Sequence, residues 1–116
     1  MFMDDQVRLR HILDAARQAV KFSQGRSRND LEVDAQLSLA LVRLLEIIGE
    51  AAKHISPEFC AKYPDIPWKK MCGTRDRLIH GYFDVNHDAV WETVTRDLPP
   101  LIASLEPLVL QKGGES

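Results

Sequence analysis

The sequence predicts an all-α protein, an up-and-down bundle of four main helices plus a short one. Three observations lead there. Apolar residues recur at spacings of three and four through most of the chain, which is the helical period. Turn-forming residues cluster in only a few places, and the period-two alternation of strands is absent. With 116 residues, the chain is expected to form a single domain, 1–116, with a small but real core.

The first helix is expected from about Asp4 to Ser23. Leu9, Ile12, Leu13, Ala16 and Val20 fall on one face of it. Asp4 and Asp5 suit its positive end. Gln24 to Asn29 breaks the pattern, with Gly25 as the C-cap and Ser27 or Asn29 as the next N-cap.

A second helix is expected from about Asp30 to Ile55. Leu37, Leu41, Leu44 and Ile48 form one row on it, and Ser38, Val42 and Leu45 another. A helix apolar on more than half its girth must be covered on more than half its girth. Neighbouring helices or a second copy of the chain would do this. Gly49, Ala51 and Ala52 are small enough to let another helix approach closely.

Ser56-Pro57-Glu58 starts a short helix, with Ser as N-cap and Pro at the first position. Trp68 opens a third long segment, which carries Met71, Leu78 and Ile79 and stops at Gly81. Asn86 or Asp84 caps the last helix. There Trp91, Val94, Leu98, Leu101, Leu105 and Leu108 make a heptad-like seam suited to self-association. Pro99-Pro100 lies inside that seam and predicts a kink, because proline has no N–H to donate. The tail from Gln111 to Ser116 is expected to fray.

Charge narrows the function. The formal net charge is −2, whereas a general nucleic-acid binder is usually basic. Any action on RNA must come from a local basic spot. Cys60 and Cys72 fit no zinc spacing and read as free thiols of a reducing cytoplasm. No signal-peptide pattern opens the sequence, and Leu37 to Gly49 is too short and too interrupted to span a membrane.

The candidate site is Arg75-Asp76-Arg77-Leu78-Ile79-His80-Gly81-Tyr82. Cutting RNA without a metal needs a base for the 2′-hydroxyl, an acid for the leaving 5′-oxygen, and positive charge on the transition state. His80 suits either proton role, and Arg75 suits the stabilising role. Five residues apart on a helix, their directions differ by about 140°. The length of Arg75 and the freedom of Gly81 beside His80 can close that gap. Arg77 faces His80 more directly. The competing reading is that Arg and His merely sit well at a helix C-terminus. One chain offers one clear His here, so a symmetric dimer with a composite cleft is chemically attractive.

Elsewhere, Trp68 and Trp91 read as core anchors. His11, His54 and His87 read as surface residues. Glu46 and Glu50 read as solvated or dimer-facing, without the histidines a helical metal site needs.

The block Arg75 to Tyr82 matches the R-x-x-x-x-H-x-Y signature of the HEPN superfamily, in its HepT-like ribonuclease toxin branch. The resemblance extends over nearly the whole chain. Arg8 to Ala15 looks like the family's first helix, and Leu45-Glu46-Ile47-Ile48-Gly49-Glu50-Ala51-Ala52-Lys53 like its second. Tyr63 to Trp68 followed by Gly73 to Val85 looks like its central block. Val90 to Val94 with Asp97-Leu98-Pro99-Pro100-Leu101 looks like its last helix.

The resemblance implies a HEPN-like helical bundle that forms a homodimer. It implies a metal-independent endoribonuclease with Arg75 and His80 as catalytic residues and no cofactor; Asp76 and Arg77, beside them in the motif, are expected in support, and a cytoplasmic location is expected from the free thiols. It also implies a role as the toxin of a type VII-like HEPN/MNT toxin–antitoxin system. The partner would be a nucleotidyltransferase antitoxin that AMPylates Tyr82. The family often has Asn after the Arg. Here it is Asp76, which could hold the guanidinium of Arg75 or weaken RNA binding. The alternative is a non-catalytic nucleotide- or substrate-binding subunit of a nucleotidyltransferase.

Overall fold

The computed structural model describes residues 2–80 and 84–109, with the side chains of residues 2–4 and of residue 80 excepted. The expected cap or stop at Gly81 and the expected frayed tail lie outside the described residues.

The all-α expectation holds. The long helix α1 spans Phe2–Ser23. Gly25 follows it at φ 72°, the left-handed conformation that ends helices, and Arg26 N donates to Ser23 O at 3.0 Å.

The expected second helix is two helices. A short α2 spans Asp30–Val33 and α3 spans Ala35–Lys53, with Asp34 extended between them at φ −117°, ψ 93°. The Asp34 carboxylate accepts from Leu37 N at 3.1 Å, so Asp34 is the N-cap of α3. Arg26 holds the other side of that carboxylate at 2.6 Å. Neither Ser27 nor Asn29 caps α2 with its side chain. Instead Asp30 accepts from Ser27 N at 2.8 Å.

Ser56 caps α4 (Pro57–Lys62) as expected, accepting from Phe59 N at 3.2 Å. It also binds Asp5, whose buried carboxylate accepts from Ser56 N at 2.8 Å and from its hydroxyl at 2.7 Å. Asp5 therefore locks the start of α1 to the start of α4. This task adds to the helix-end role expected of it.

The expected third long helix is broken as well. α5 spans Trp68–Cys72 and α6 spans Thr74–Leu78, with Gly73 between them. The chain then becomes extended. Ile79–His80 (β1) pairs antiparallel with Asp84–Val85 (β2), Ile79 opposite Val85 and His80 opposite Asp84. Asn86 N closes the base of this small hairpin on Leu78 O at 2.7 Å.

Asn86 then caps α7 (His87–Glu92), accepting from Ala89 N at 3.0 Å. The distortion expected near Pro99-Pro100 appears one turn earlier as a π segment, Thr93–Asp97, before α8 (Leu98–Leu105). Leu98 N donates five residues back to Thr93 O. Two prolines in the first turn of α8 have no N–H to offer the preceding carbonyls, and a widened turn absorbs the mismatch.

Leu9, Ile12, Ala16 and Ala19 of α1 pack against Leu41, Leu45 and Ile48 of α3 and against Val90, Val94, Leu98, Leu101 and Leu105. Ten residues of α3 are buried, including both apolar rows. The surplus apolar girth of α3 is thus covered within the chain. So is the seam from Val94 to Leu105, which is spent on the core and is not left for self-association. Truncating a fully buried leucine such as Leu45 to Ala costs about 2–5 kcal/mol. Trp68 and Trp91 are half-buried against this core and do not sit at its centre. Among the described residues, no buried side-chain polar atom lacks a partner.

Candidate functional site

The broken helix positions the site. Gly49 lies where α5 and α6 cross α3. A Cβ at Gly49 would stand 3.1 Å from Met71 O and 3.8 Å from the Cβ of Thr74. Glycine admits that approach without forcing the carbonyl to shift. The small residues of α3 therefore admit a helix of the same chain. Thr74 is buried at the crossing. Arg75, next in sequence, reaches Glu46, which stands one helical turn before Gly49 on α3.

Arg75 Nε donates to Glu46 Oε2 at 3.4 Å. Arg43 Nη1 stands 3.8 Å from the other oxygen, Glu46 Oε1. The Glu46 side chain is 26% exposed, whereas Arg75 and Arg43 are 66% and 72% exposed. One half-buried carboxylate thus holds two guanidiniums that face solvent. With Nε engaged, the two terminal nitrogens of Arg75 remain as a fork for an anion.

The carboxylate that meets Arg75 is Glu46 and not the neighbouring Asp76, which is exposed in the first turn of α6. There Asp76 suits the positive end of the helix. Arg77 turns the other way. Its Nη1 donates to Lys70 O at 2.8 Å, and the Thr74 hydroxyl donates to the same carbonyl at 3.2 Å. Arg77 thus closes the break between α5 and α6, which gives it a structural task.

His80 is the last residue of β1, five positions beyond Arg75 and outside the helix. The helical angle between the two, the obstacle read in the sequence, does not apply to an extended residue. Tyr82 lies outside the described residues.

The remaining histidines have partners or neighbours of their own. His54 meets Glu50 at 3.2 Å. His11 lines a groove of about 440 Å³ between α1 and α3. His87 bridges Ser38, at 3.2 Å from Nε2, and Glu32, at 3.2 Å from Nδ1. A neutral ring bonded this way donates to Glu32 and accepts from the Ser38 hydroxyl. The chain Ser38–His87–Glu32 ties α7 to α2 and α3 along a cleft of about 670 Å³. Arg28 adds to it through Glu32 and, at 2.6 Å, Asp88. The carboxyl of Glu32 is held below the usual range, by Arg28 first and His87 second.

Among the described residues, no group of three or more His, Cys, Asp or Glu is placed to hold a metal ion. Cys60 and Cys72 are unbridged and half-buried, and burial pushes the Cys60 thiol up. None of the described helices is long and apolar enough to cross a membrane.

Comparison with known proteins decides the family. Residues 12–108 match the family model described as "Ribonuclease HepT-like". The chain belongs to the HepT-like ribonuclease family. It is 42% identical over 104 residues to "Putative RNase TTE0752" of Caldanaerobacter subterraneus subsp. tengcongensis, covering 90% of this chain and 92% of that one. It is 39% identical over 100 residues to "Probable ribonuclease HepT" of Thermococcus cleftensis, covering 86% and 91%. It is 35% identical over 104 residues to "Putative RNase MJ0127" of Methanocaldococcus jannaschii, covering 90% and 86%. No solved structure matches the chain at a significant level.

For this HepT-like chain, sequence reasoning took Glu46 as solvated or dimer-facing and did not see its contacts with Arg75 and Arg43. Glu46 and Arg43 stand on α3, one turn and two turns before Gly49. The signal that pointed to them was Gly49 itself. A glycine inside an otherwise apolar helix marks a close crossing, and charged residues beside a crossing meet whatever crosses.

Proposed function

We propose that this HepT-like protein is a metal-independent endoribonuclease and the toxin of a type VII-like HEPN/MNT toxin–antitoxin system. The observation that supports this most is the solvent-facing guanidinium of Arg75, seated by Glu46 and followed five residues on by His80 in an extended strand. Arg75 would neutralise the charge that builds on the phosphorane-like transition state. His80 would take the proton from the 2′-hydroxyl, and a His80 from a second protomer would protonate the departing 5′-oxygen. The work thus divides between two copies of one residue, and this is the reason for a homodimer with a composite cleft. Exposed Val33 and Leu39, 73% and 68% accessible, offer apolar surface for such an association.

The antitoxin is a nucleotidyltransferase that transfers AMP from ATP to the Tyr82 hydroxyl, with pyrophosphate leaving. The adduct, two residues from His80, adds bulk and negative charge and repels RNA phosphates. Growth after induction of this chain, beside His80→Ala, tests the reading together with intact mass after co-expression with its genomic neighbour. Arrest by the wild type alone, with a gain of one or more AMP units that Tyr82→Phe removes, is the expected result. Growth without arrest, and no added mass, would overturn it in favour of a non-catalytic nucleotide-binding subunit.

A further inference from the structure

Glu46 presents its two oxygens to two different arginines. Arg75 comes from α6 and Arg43 from α3 itself, three residues earlier. A lone surface carboxylate beside one arginine would cancel its charge. Here two cations meet one anion, so the cluster keeps a net positive charge on a chain that is otherwise slightly acidic. This is the local basic spot that a near-neutral RNA-cutting protein needs. Glu46 engages only one donor edge of each guanidinium. The terminal fork of Arg75 and the remaining nitrogens of Arg43 are left for an oxyanion. Arg43 also borders the groove of about 440 Å³ that runs between α1 and α3, with Val7 and Ile47 as apolar lining, Arg8 and His11 on α1, and Glu50 paired with His54.

We propose that Glu46 seats Arg75 and Arg43 as a two-point phosphate clamp, in which Arg43 binds a phosphate neighbouring the scissile one and directs a single RNA strand into the α1–α3 groove. The inference rests on the RNA-cleaving reading of Arg75 and adds to it a second binding point and a direction for the strand. The two guanidiniums meet different oxygens of one carboxylate, from α3 and from α6, and so offer a strand two separate points of attachment. Arg43 is then a binding residue for the flanking nucleotide, and Glu46 is a positioning residue that acts through both arginines.

The test uses the full chain carrying His80→Ala, so that RNA stays intact, and a fluorescein-labelled single-stranded RNA of twelve nucleotides. Adding Arg43→Gln should weaken binding about tenfold at low salt, since a charge-assisted contact is lost. The slope of log affinity against log salt should fall by about 0.7, one phosphate contact on a single strand. Arg43→Lys should restore the slope and part of the affinity. With the cleavage-competent chain, Arg43→Gln should raise KM on the long RNA more than it lowers kcat. A dinucleotide, which has one phosphate, should not distinguish the two proteins. If the wild type cuts RNA but Arg43→Gln changes neither affinity nor slope, the clamp is wrong and the cleavage reading stands. If RNA is bound with the expected slope change but never cut, Arg43 is a phosphate-binding residue only, and both the cleavage reading and the placement beside a scissile phosphate fall. If the parent chain does not bind RNA, both fall.

Discussion

Arg75 and Glu46, 29 residues apart in sequence, meet at 3.4 Å because Gly49 lets α5 and α6 lie directly on α3. Glu46 fixes one edge of the guanidinium and leaves the other to solvent. If that orientation serves catalysis, Glu46→Ala should lower kcat about tenfold by freeing Arg75, while the thermal midpoint moves little. Glu46→Gln keeps an acceptor and should fall between the two. Steady-state kinetics on a defined RNA, with circular dichroism as a control, distinguishes this from a loss of fold.

The crossing itself predicts a stability cost. Gly49→Ala places a methyl 3.1 Å from the backbone carbonyl of Met71, which must give by a few tenths of an ångström to receive it. We expect a destabilisation of about 1–3 kcal/mol in urea unfolding. Gly25→Ala meets no atom within 4 Å but must hold φ +72°. Its cost should be about 1 kcal/mol and purely conformational. A Gly49→Ala chain as stable as the wild type would argue against a tight crossing at Gly49.

Much of the fold was legible because helix faces announce themselves. The rows Leu9–Ile12–Ala16 and Leu37–Leu41–Leu44–Ile48 are the rows that are buried. Ser56, Asn86 and Gly25 perform the capping tasks their residue types suggest. The breaks were less legible. Asp34 looks like an ordinary polar helix residue until Arg26 and Leu37 N are seen to claim its carboxylate. The segment after Trp68 has the apolar spacing of one helix. Only the Lys70 carbonyl, satisfied by the side chains of Thr74 and Arg77, shows why two short helices replace it. Arg75 could be named from the motif, but its contact with Glu46 could not. Spacing within a helix says nothing about partners on another one.

Asp5 predicts a second, independent stability effect. Its carboxylate is buried and accepts two hydrogen bonds from Ser56. Asp5→Ala leaves the Ser56 N–H and hydroxyl without that acceptor, and should cost about 1–3 kcal/mol. Ser56→Ala removes the hydroxyl bond and the α4 cap together, and should cost a similar amount. A double-mutant cycle should show clear coupling, whereas additive losses would mean that the contact contributes nothing of its own.

The α2 region predicts an acid sensitivity. The carboxyls of Asp30, Glu32 and Asp34 are all held below their ordinary values. The largest cause is the Ser27 N–H for Asp30, Arg28 for Glu32 and Arg26 for Asp34. A carboxylate depressed in the folded state contributes stability that is present above its unfolded value. That contribution is lost as pH falls through the folded value. Unfolding midpoints should therefore fall as pH drops below the usual carboxylate range of about 4. Because these pairs are exposed, salt should blunt the effect. Urea titrations at descending pH, at low and high salt, provide the check. A Glu32→Gln and Asp34→Asn chain should show a flatter acid limb.

The most direct test of the central claim is RNA cleavage by the purified chain in excess EDTA, with Arg75→Ala and His80→Ala alongside. The account predicts that the wild type cuts single-stranded RNA without added metal. It predicts that each variant loses activity by at least about a hundredfold, the scale of a single acid–base or charge-stabilising group, while keeping its helical circular dichroism. Activity that vanishes in EDTA, or that survives in both variants, would contradict it.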